Sequence, residues 1–182
     1  MKKIVFLFIL ALSSNFIFAA SQDNSKLTRK ERKELRKAEL EEKYQHTKQL
    51  LQERNFVLES DFLQTRYGQR IPVSPTINFV AVEEGTGIIQ VGSNYGMGPN
   101  GVGGVTAKGN ITNYELQAND KKKTFNLRMT VMSSIGVYNL NFWINPQGQA
   151  TARLTGMTAG NLTFDGDVVA LQNSGVYEGH SL

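Results

Sequence analysis

The chain contains no cysteine. That one absence removes disulfides, thiolate metal sites and thiol catalysis, and it also excludes a lipid anchor on an N-terminal cysteine. Histidine is nearly as scarce. His46 and His180 are the whole supply, and their spacing matches no metal site. The body of the chain also lacks any excess of positive charge. Residues 55–182 carry eight basic against nine acidic side chains, whereas residues 26–54 carry ten against six. The net charge of +4 therefore comes from one segment near the N-terminus, and a nucleic-acid face on the main domain is not expected. Long apolar runs are missing too. The longest, Ile4 to Leu12, falls well short of the ~20 residues that span a bilayer.

That short run has a function of its own. Lys2-Lys3 precedes it, the polar Ser13-Ser14-Asn15 ends it, and Ala19-Ala20 supplies a small-residue cleavage site. Residues 1–20 read as a secretory signal peptide, so the mature protein is expected in the periplasm or outside the cell. No integral membrane span should remain after cleavage. Residues 21–54 then read as a polar stub and a charged amphipathic helix. Thr28 and Glu31 form a capping box at its start, and Leu40, Tyr44, Thr47 and Leu51 lie at helical spacing. The turns from Arg29 to Lys37 have only Leu35 to bury. Their interspersed Glu31 and Glu34 make a solvated face a better reading than an anion-binding surface.

From Asn55 the pattern changes to alternation. Phe56 to Leu63 reads as a strand with a break near Ser60-Asp61, followed by irregular chain around Pro72 and Pro75 and short strands at 76–83 and 88–91. After the glycine-rich stretch 92–109 the strands lengthen. Phe125, Leu127, Met129 and Val131 alternate with polar residues, as do Tyr138, Leu140, Phe142 and Ile144. Asn145-Pro146-Gln147-Gly148 is a turn, and a last strand runs from Leu162 to Leu171. Sequential strands with one apolar face and short turns predict a mainly β domain over 55–182. The expected form is an antiparallel lipocalin-like barrel of about eight strands, with a two-sheet sandwich as the alternative, preceded by one helix.

Candidate chemistry is sparse. Gly96-Met97-Gly98-Pro99-Asn100-Gly101 spells G-x-G-x-x-G, but alternating residues come after it where a dinucleotide site needs a helix N-terminus. Asp165-Gly166-Asp167 lacks the further ligands of a calcium loop. Glu83-Glu84 has no second carboxylate placed for acid–base work, and Ser133-Ser134 has no nucleophile elbow. No catalytic residue, metal site or cofactor is expected, and the protein reads as a non-enzyme. Trp143 shares its strand face with Asn139 and Asn141, which makes it a ligand-contact candidate. Tyr95 and Met97, in the glycine-rich loop, are candidates if that loop borders a barrel mouth.

Several pieces together resemble domain-of-unknown-function family 4251. They are Asn55-Phe56-Val57-Leu58-Glu59, Val73-Ser74 with Asn78-Phe79-Val80, Gly98-Pro99-Asn100-Gly101-Val102-Gly103-Gly104, and the closing Val176-Tyr177-Glu178-Gly179-His180-Ser181-Leu182. The resemblance covers about residues 45–182. It implies a secreted protein of Gram-negative gut anaerobes with a lipocalin-like β fold and an envelope location, and it brings no catalytic residues. The expected function is binding an apolar or amphipathic small ligand in or at the mouth of the barrel. The alternative is a structural or protein-interaction module of the envelope.

Overall fold

In a computed structural model the residues described are 28–93, 98–156 and 161–182. The chain divides into two units, residues 1–37 and 38–182. The helix α1 (Arg29–Glu53) begins in the first. There the capping box forms as the sequence predicts: the Thr28 amide donates to Glu31 Oε2 at 2.7 Å and the Glu31 amide to Thr28 Oγ1 at 3.3 Å. Those bonds stabilise the charged carboxylate and hold the Glu31 carboxyl below its ordinary value. The turns up to Lys37 are exposed throughout.

The second unit holds the rest of α1 and nine strands. They are β1 (Asn55–Thr65), β2 (Arg70–Pro72), β3 (Phe79–Glu83), β4 (Thr86–Val91), β5 (Val105–Asn119), β6 (Thr124–Ser133), β7 (Gly136–Ile144), β8 (Gln149–Gly156) and β9 (Leu162–Ala170). All pairings are antiparallel. The order β1-β3-β4-β5-β6-β7-β8-β9 returns to its start through β1–β9, which closes an eight-stranded barrel. The ninth strand, β2, pairs with the end of β1 beyond β3. The irregularity expected at Ser60-Asp61 is a bulge, where Ser60 Oγ donates to the carbonyls of Phe62 and Asp165. A second bulge, between Ile111 and Asn113, lets β5 continue to Asn119 while Tyr114 and Leu116 take over the inward positions.

The inward positions fill the barrel. Side chains from all eight closing strands join one buried cluster, among them Phe56, Val80, Ile89, Ala107, Leu127, Phe142, Ala152 and Phe164. Alternation puts them there, because successive residues of a strand face opposite sides. The second half of α1 closes one end. Tyr44, Leu50 and Leu51 enter the same cluster, with the Tyr44 ring stacked on Phe125 at 4.8 Å and 14°. The Tyr114 hydroxyl donates to the Leu51 carbonyl at 2.5 Å, satisfying one of the acceptors orphaned at the helix end. Burial pushes the Tyr114 phenol well up, partly offset by Arg54, whose guanidinium lies 4.5 Å from the ring.

At the rim of this end, the Tyr44 hydroxyl donates to Asp120 Oδ1 at 2.6 Å and Lys48 Nζ reaches the same oxygen at 2.9 Å. Lys123, from the same turn, pairs with Glu41 at 2.5 Å. Burial and the Asp120 bond push the Tyr44 phenol up to about 12, so it stays a donor at neutral pH. The bonds from Tyr44 and Lys48 hold the Asp120 carboxyl below its ordinary value of 3.8. A lowered folded-state value means the contribution is complete above the unfolded value and is lost as pH falls through the folded one. Because Asp120 is solvent-exposed, the effect should be small. Urea midpoints measured from pH 5 to pH 2 should fall less steeply for Asp120→Asn than for the parent. An unchanged acid limb would show that the contact contributes nothing to folding.

The outer face of β1, β3 and β4 is apolar as well. Val57, Phe79, Ala81 and Ile88 form a second small cluster, covered by Val169, Leu171 and Val176. The C-terminal tail therefore runs over the outside of the barrel after the 3-10 turn at Leu171–Asn173. This is why both faces of β3 are buried, where alternation alone predicts one.

Candidate functional site

Two places gather polar side chains. One lies under the C-terminal tail. Gln90 Nε2 donates to the carbonyls of Tyr177 (2.8 Å) and Ile77 (3.1 Å), while Gln90 Oε1 accepts from the Gly179 amide (2.8 Å) and Thr106 Oγ1 (2.9 Å). Asn100 Nδ2 donates to Thr106 Oγ1 and the Val91 carbonyl, and Asn100 Oδ1 accepts from the amides of Val102 and Gly104. Asn78 Oδ1 accepts from the Gly92 amide. The tail backbone adds Tyr177 N to Thr76 O, His180 N to Asn100 O and Leu182 N to Thr106 O. Asn78, Gln90, Asn100 and Thr106 are buried and fully bonded, which is the signature of a structural lock.

This lock unites three of the pieces that carry the family resemblance: Asn78, the 98–104 loop and the closing 176–182 segment. It also gives the glycines their reason. A Cβ on Gly98 would lie 2.3 Å from the Gly104 amide nitrogen, and one on Gly179 would lie 2.4 Å from the Asn100 carbonyl oxygen. Within the G-x-G-x-x-G spelling, Gly98 thus answers to close backbone approach and Gly101 to a positive φ of 78°, and a strand, β5, follows from Val105 where a helix would be needed. Gln90 and Thr106 are members that sequence reasoning did not single out. The available signal was Gln90 itself, a polar residue inside the apolar Ile88–Val91 run.

The other place is the outer face centred on Trp143, which is 52% exposed. Trp143 lies directly across from Asn126 on β6 and Thr151 on β8. It separates two surface depressions. The first, about 420 Å³, is bordered by Asp61, Phe62, Arg70, Thr151, Asp165 and Asp167 as well as Trp143. The second, about 460 Å³, is bordered by Glu115, Gln117, Asn126, Arg128, Asn141, Arg153 and Thr155 with Trp143 again. In the first, Thr151 Oγ1 donates to Asp165 Oδ1 at 2.8 Å, Arg70 pairs with Asp165 at 3.5 Å, and the Arg70 guanidinium stacks 3.9 Å from the Phe62 ring centre. The β1 bulge brings Phe62 and Asp61 here by shifting the register of β1 against β9. Sequence reasoning found Trp143 but not its partners from β1 and β2.

Apart from Asp165 and Asp167, on the border of the first depression, the other candidates are dispersed. Tyr95 and Met97 lie outside the described residues. Asp165 and Asp167 face outward, Glu83 and Glu84 sit at the β3–β4 turn, and Ser133 Oγ donates to the Gly136 carbonyl. The Ser134 hydroxyl donates to the Leu182 carbonyl. Among the described residues no group of three His, Asp or Glu side chains could hold a metal ion, and no helix is long and apolar enough to cross a membrane.

Comparison with known proteins agrees with the fold. No curated protein matches the chain. Among solved structures, a crystal structure of a DUF4251 family protein from Bacteroides eggerthii is similar, with a TM-score of 0.61 and 27% identity. The match covers 72% of this chain and 90% of that one. Residues 38–168 match the sequence profile of the domain of unknown function DUF4251, which begins where the second unit begins. This chain, a closed barrel capped by a helix, belongs to the DUF4251 family.

Proposed function

We propose that the protein is a non-enzymatic binding protein of the periplasm or cell exterior, whose filled barrel is a scaffold and whose ligand sits on the outer face around Trp143. The observation that carries this reading is the pairing of a packed interior with a half-exposed tryptophan between two depressions. Binding sites commonly combine an apolar surface with a few convergent polar groups, and Trp143 with its neighbours has that composition. An apolar ligand held inside the lumen lacks comparable support, because core side chains occupy it. The leader-like residues 1–20 support export.

Trp143 is the sole tryptophan of the chain, so its fluorescence reports on this face alone. A cell-envelope extract freed of protein, and so of other tryptophans, should protect Trp143 from acrylamide quenching, and N-terminal sequencing of the periplasmic protein should begin at residue 20 or 21. Quenching unchanged by any envelope fraction would remove the binding reading, and a cytoplasmic protein starting at Met1 would remove export.

A further inference from the structure

We infer that the ligand of the Trp143 face is a neutral carbohydrate chain, laid across the strands rather than along them. This inference rests on the reading of that face as the binding site. The strand register places Gln117, Asn126, Trp143, Thr151, Asp165 and Phe62 opposite one another in turn, on β5, β6, β7, β8, β9 and β1. Five interstrand steps make an arc about 24 Å long around the outside of the closed barrel, and the steps beside Trp143, where the two depressions lie, suit an oligosaccharide rather than a single sugar.

The chemistry of the row selects the ligand. A pyranose presents an apolar C–H face and a rim of hydroxyls. The first packs on an exposed indole, and the second needs donors and acceptors lying to either side of it. Amide, hydroxyl, carboxylate and guanidinium groups flank Trp143 on both sides. Among the described residues, the side chains of Gln117, Asn126, Arg128, Asn141 and Arg153 make no hydrogen bond or ion pair with other protein groups, so they are open to a ligand.

Competing ligands fit less well. Over the two depressions Asp61, Asp165, Asp167 and Glu115 stand against Arg70, Arg128 and Arg153, a near balance that gives the phosphates of a nucleic acid no net attraction. The apolar surface is one indole and part of a phenyl ring, too little for a lipid chain. A peptide adding as a strand needs a free backbone edge; β7 is paired on both sides, and the open edge of β2 is three residues long and ends in proline.

The test titrates the full chain with the β-1,4 and α-1,4 hexasaccharides of glucose and the hexasaccharides of xylose and N-acetylglucosamine. Heparin and lysophosphatidylcholine serve as anionic and amphiphilic comparators. At least one hexasaccharide should shift Trp143 emission to shorter wavelength and saturate. Gels cast with the matching polysaccharide should retard the parent and not Trp143→Ala, while Trp143→Phe keeps part of the retardation. Asn126→Ala should weaken binding by about 5–10-fold, the loss of one hydrogen bond. Trp143→Phe and Asn126→Ala should keep the parent's urea midpoint, and Trp143→Ala, which loses the buried half of the indole, should have a lower midpoint but still unfold in one cooperative transition, separating a binding defect from misfolding.

Retardation unaffected by Trp143→Ala overturns the inference. So does an emission shift with heparin or lysophosphatidylcholine alone. If envelope extract protects Trp143 equally before and after periodate oxidation, and no hexasaccharide acts, the carbohydrate assignment fails while the binding reading stands. If the extract does not protect Trp143 and no hexasaccharide acts, both fail.

Discussion

Replacing Asn100 with alanine is expected to lower the unfolding free energy by about 3 kcal/mol, and to do so without any contact to the barrel interior. Asn100 is fully buried, and its side chain makes four hydrogen bonds. Alanine leaves the amides of Val102 and Gly104, the Val91 carbonyl and the Thr106 hydroxyl without that partner. An unsatisfied buried group costs about 1–3 kcal/mol, and water entering the vacated space recovers part of the total. For a domain of this size the melting temperature should fall by about 6–12 °C. Asn100→Asp restores the two acceptor bonds but not the two donor bonds, so it should fall between parent and alanine. Because the Asn100 carbonyl also accepts from the His180 amide, hydrogen exchange at Gly179 and His180 should accelerate in both variants. A loss below about 1 kcal/mol with unchanged exchange would show that the tail is held by its apolar contacts instead.

Gly166→Val should be at least as damaging, through the seam that closes the barrel. Gly166 pairs with Ser60 across β1–β9, beside the bulge. A Cβ there would lie 1.8 Å from the Glu59 carbonyl oxygen and 2.8 Å from Ser60 Cα. Both obstacles are backbone atoms, so no rotamer change relieves the overlap, and the two strands must separate. Overpacking costs about 1–3 kcal/mol where side chains can move, and more than 3 kcal/mol is expected where they cannot. Parted strands also present two unpaired edges, so the variant should aggregate on refolding. Gly175 is the matched control. A Cβ there meets nothing within 4 Å, and Gly175→Ala should change stability by less than about 0.5 kcal/mol. Equal urea midpoints for the two variants would mean that the β1–β9 seam is not under steric control.

Local rules made much of this protein readable from its residues. The capping box at Thr28 and Glu31 forms as written, because it needs only residues three apart. The inward sets of β6 and β7 come directly from alternation, since the side-chain period of a strand is fixed. The turn at Asn145–Gly148 forms around Gly148 at φ 90°, with the Asn145 side chain accepting from the amides of Gln147 and Gln149. The many apolar-faced strands joined by short turns favour a barrel over a two-sheet sandwich, and the β1–β9 pairing decides for the barrel.

Three-dimensional packing decided what lay beyond one or two turns of chain. Alternation cannot register the covering of β3 by a tail about a hundred residues later, so Val80 and Phe79 are both buried for different reasons. The second bulge in β5 is absent from its pattern because Thr112 is an ordinary strand residue, and only pairing with β6 reveals it. Trp143 was visible as an aromatic on a polar face, but its setting depends on Asp61, Phe62 and Arg70. The chain carries them 73 to 82 residues away in sequence and the barrel returns them to its side. The glycine-rich stretch shows the division most clearly. Its composition allows a mobile loop or a tightly turned one, because glycine's freedom is a local property. What the backbone is tight against, the buried Asn100 network and the returning C-terminus, exists only once the barrel has closed.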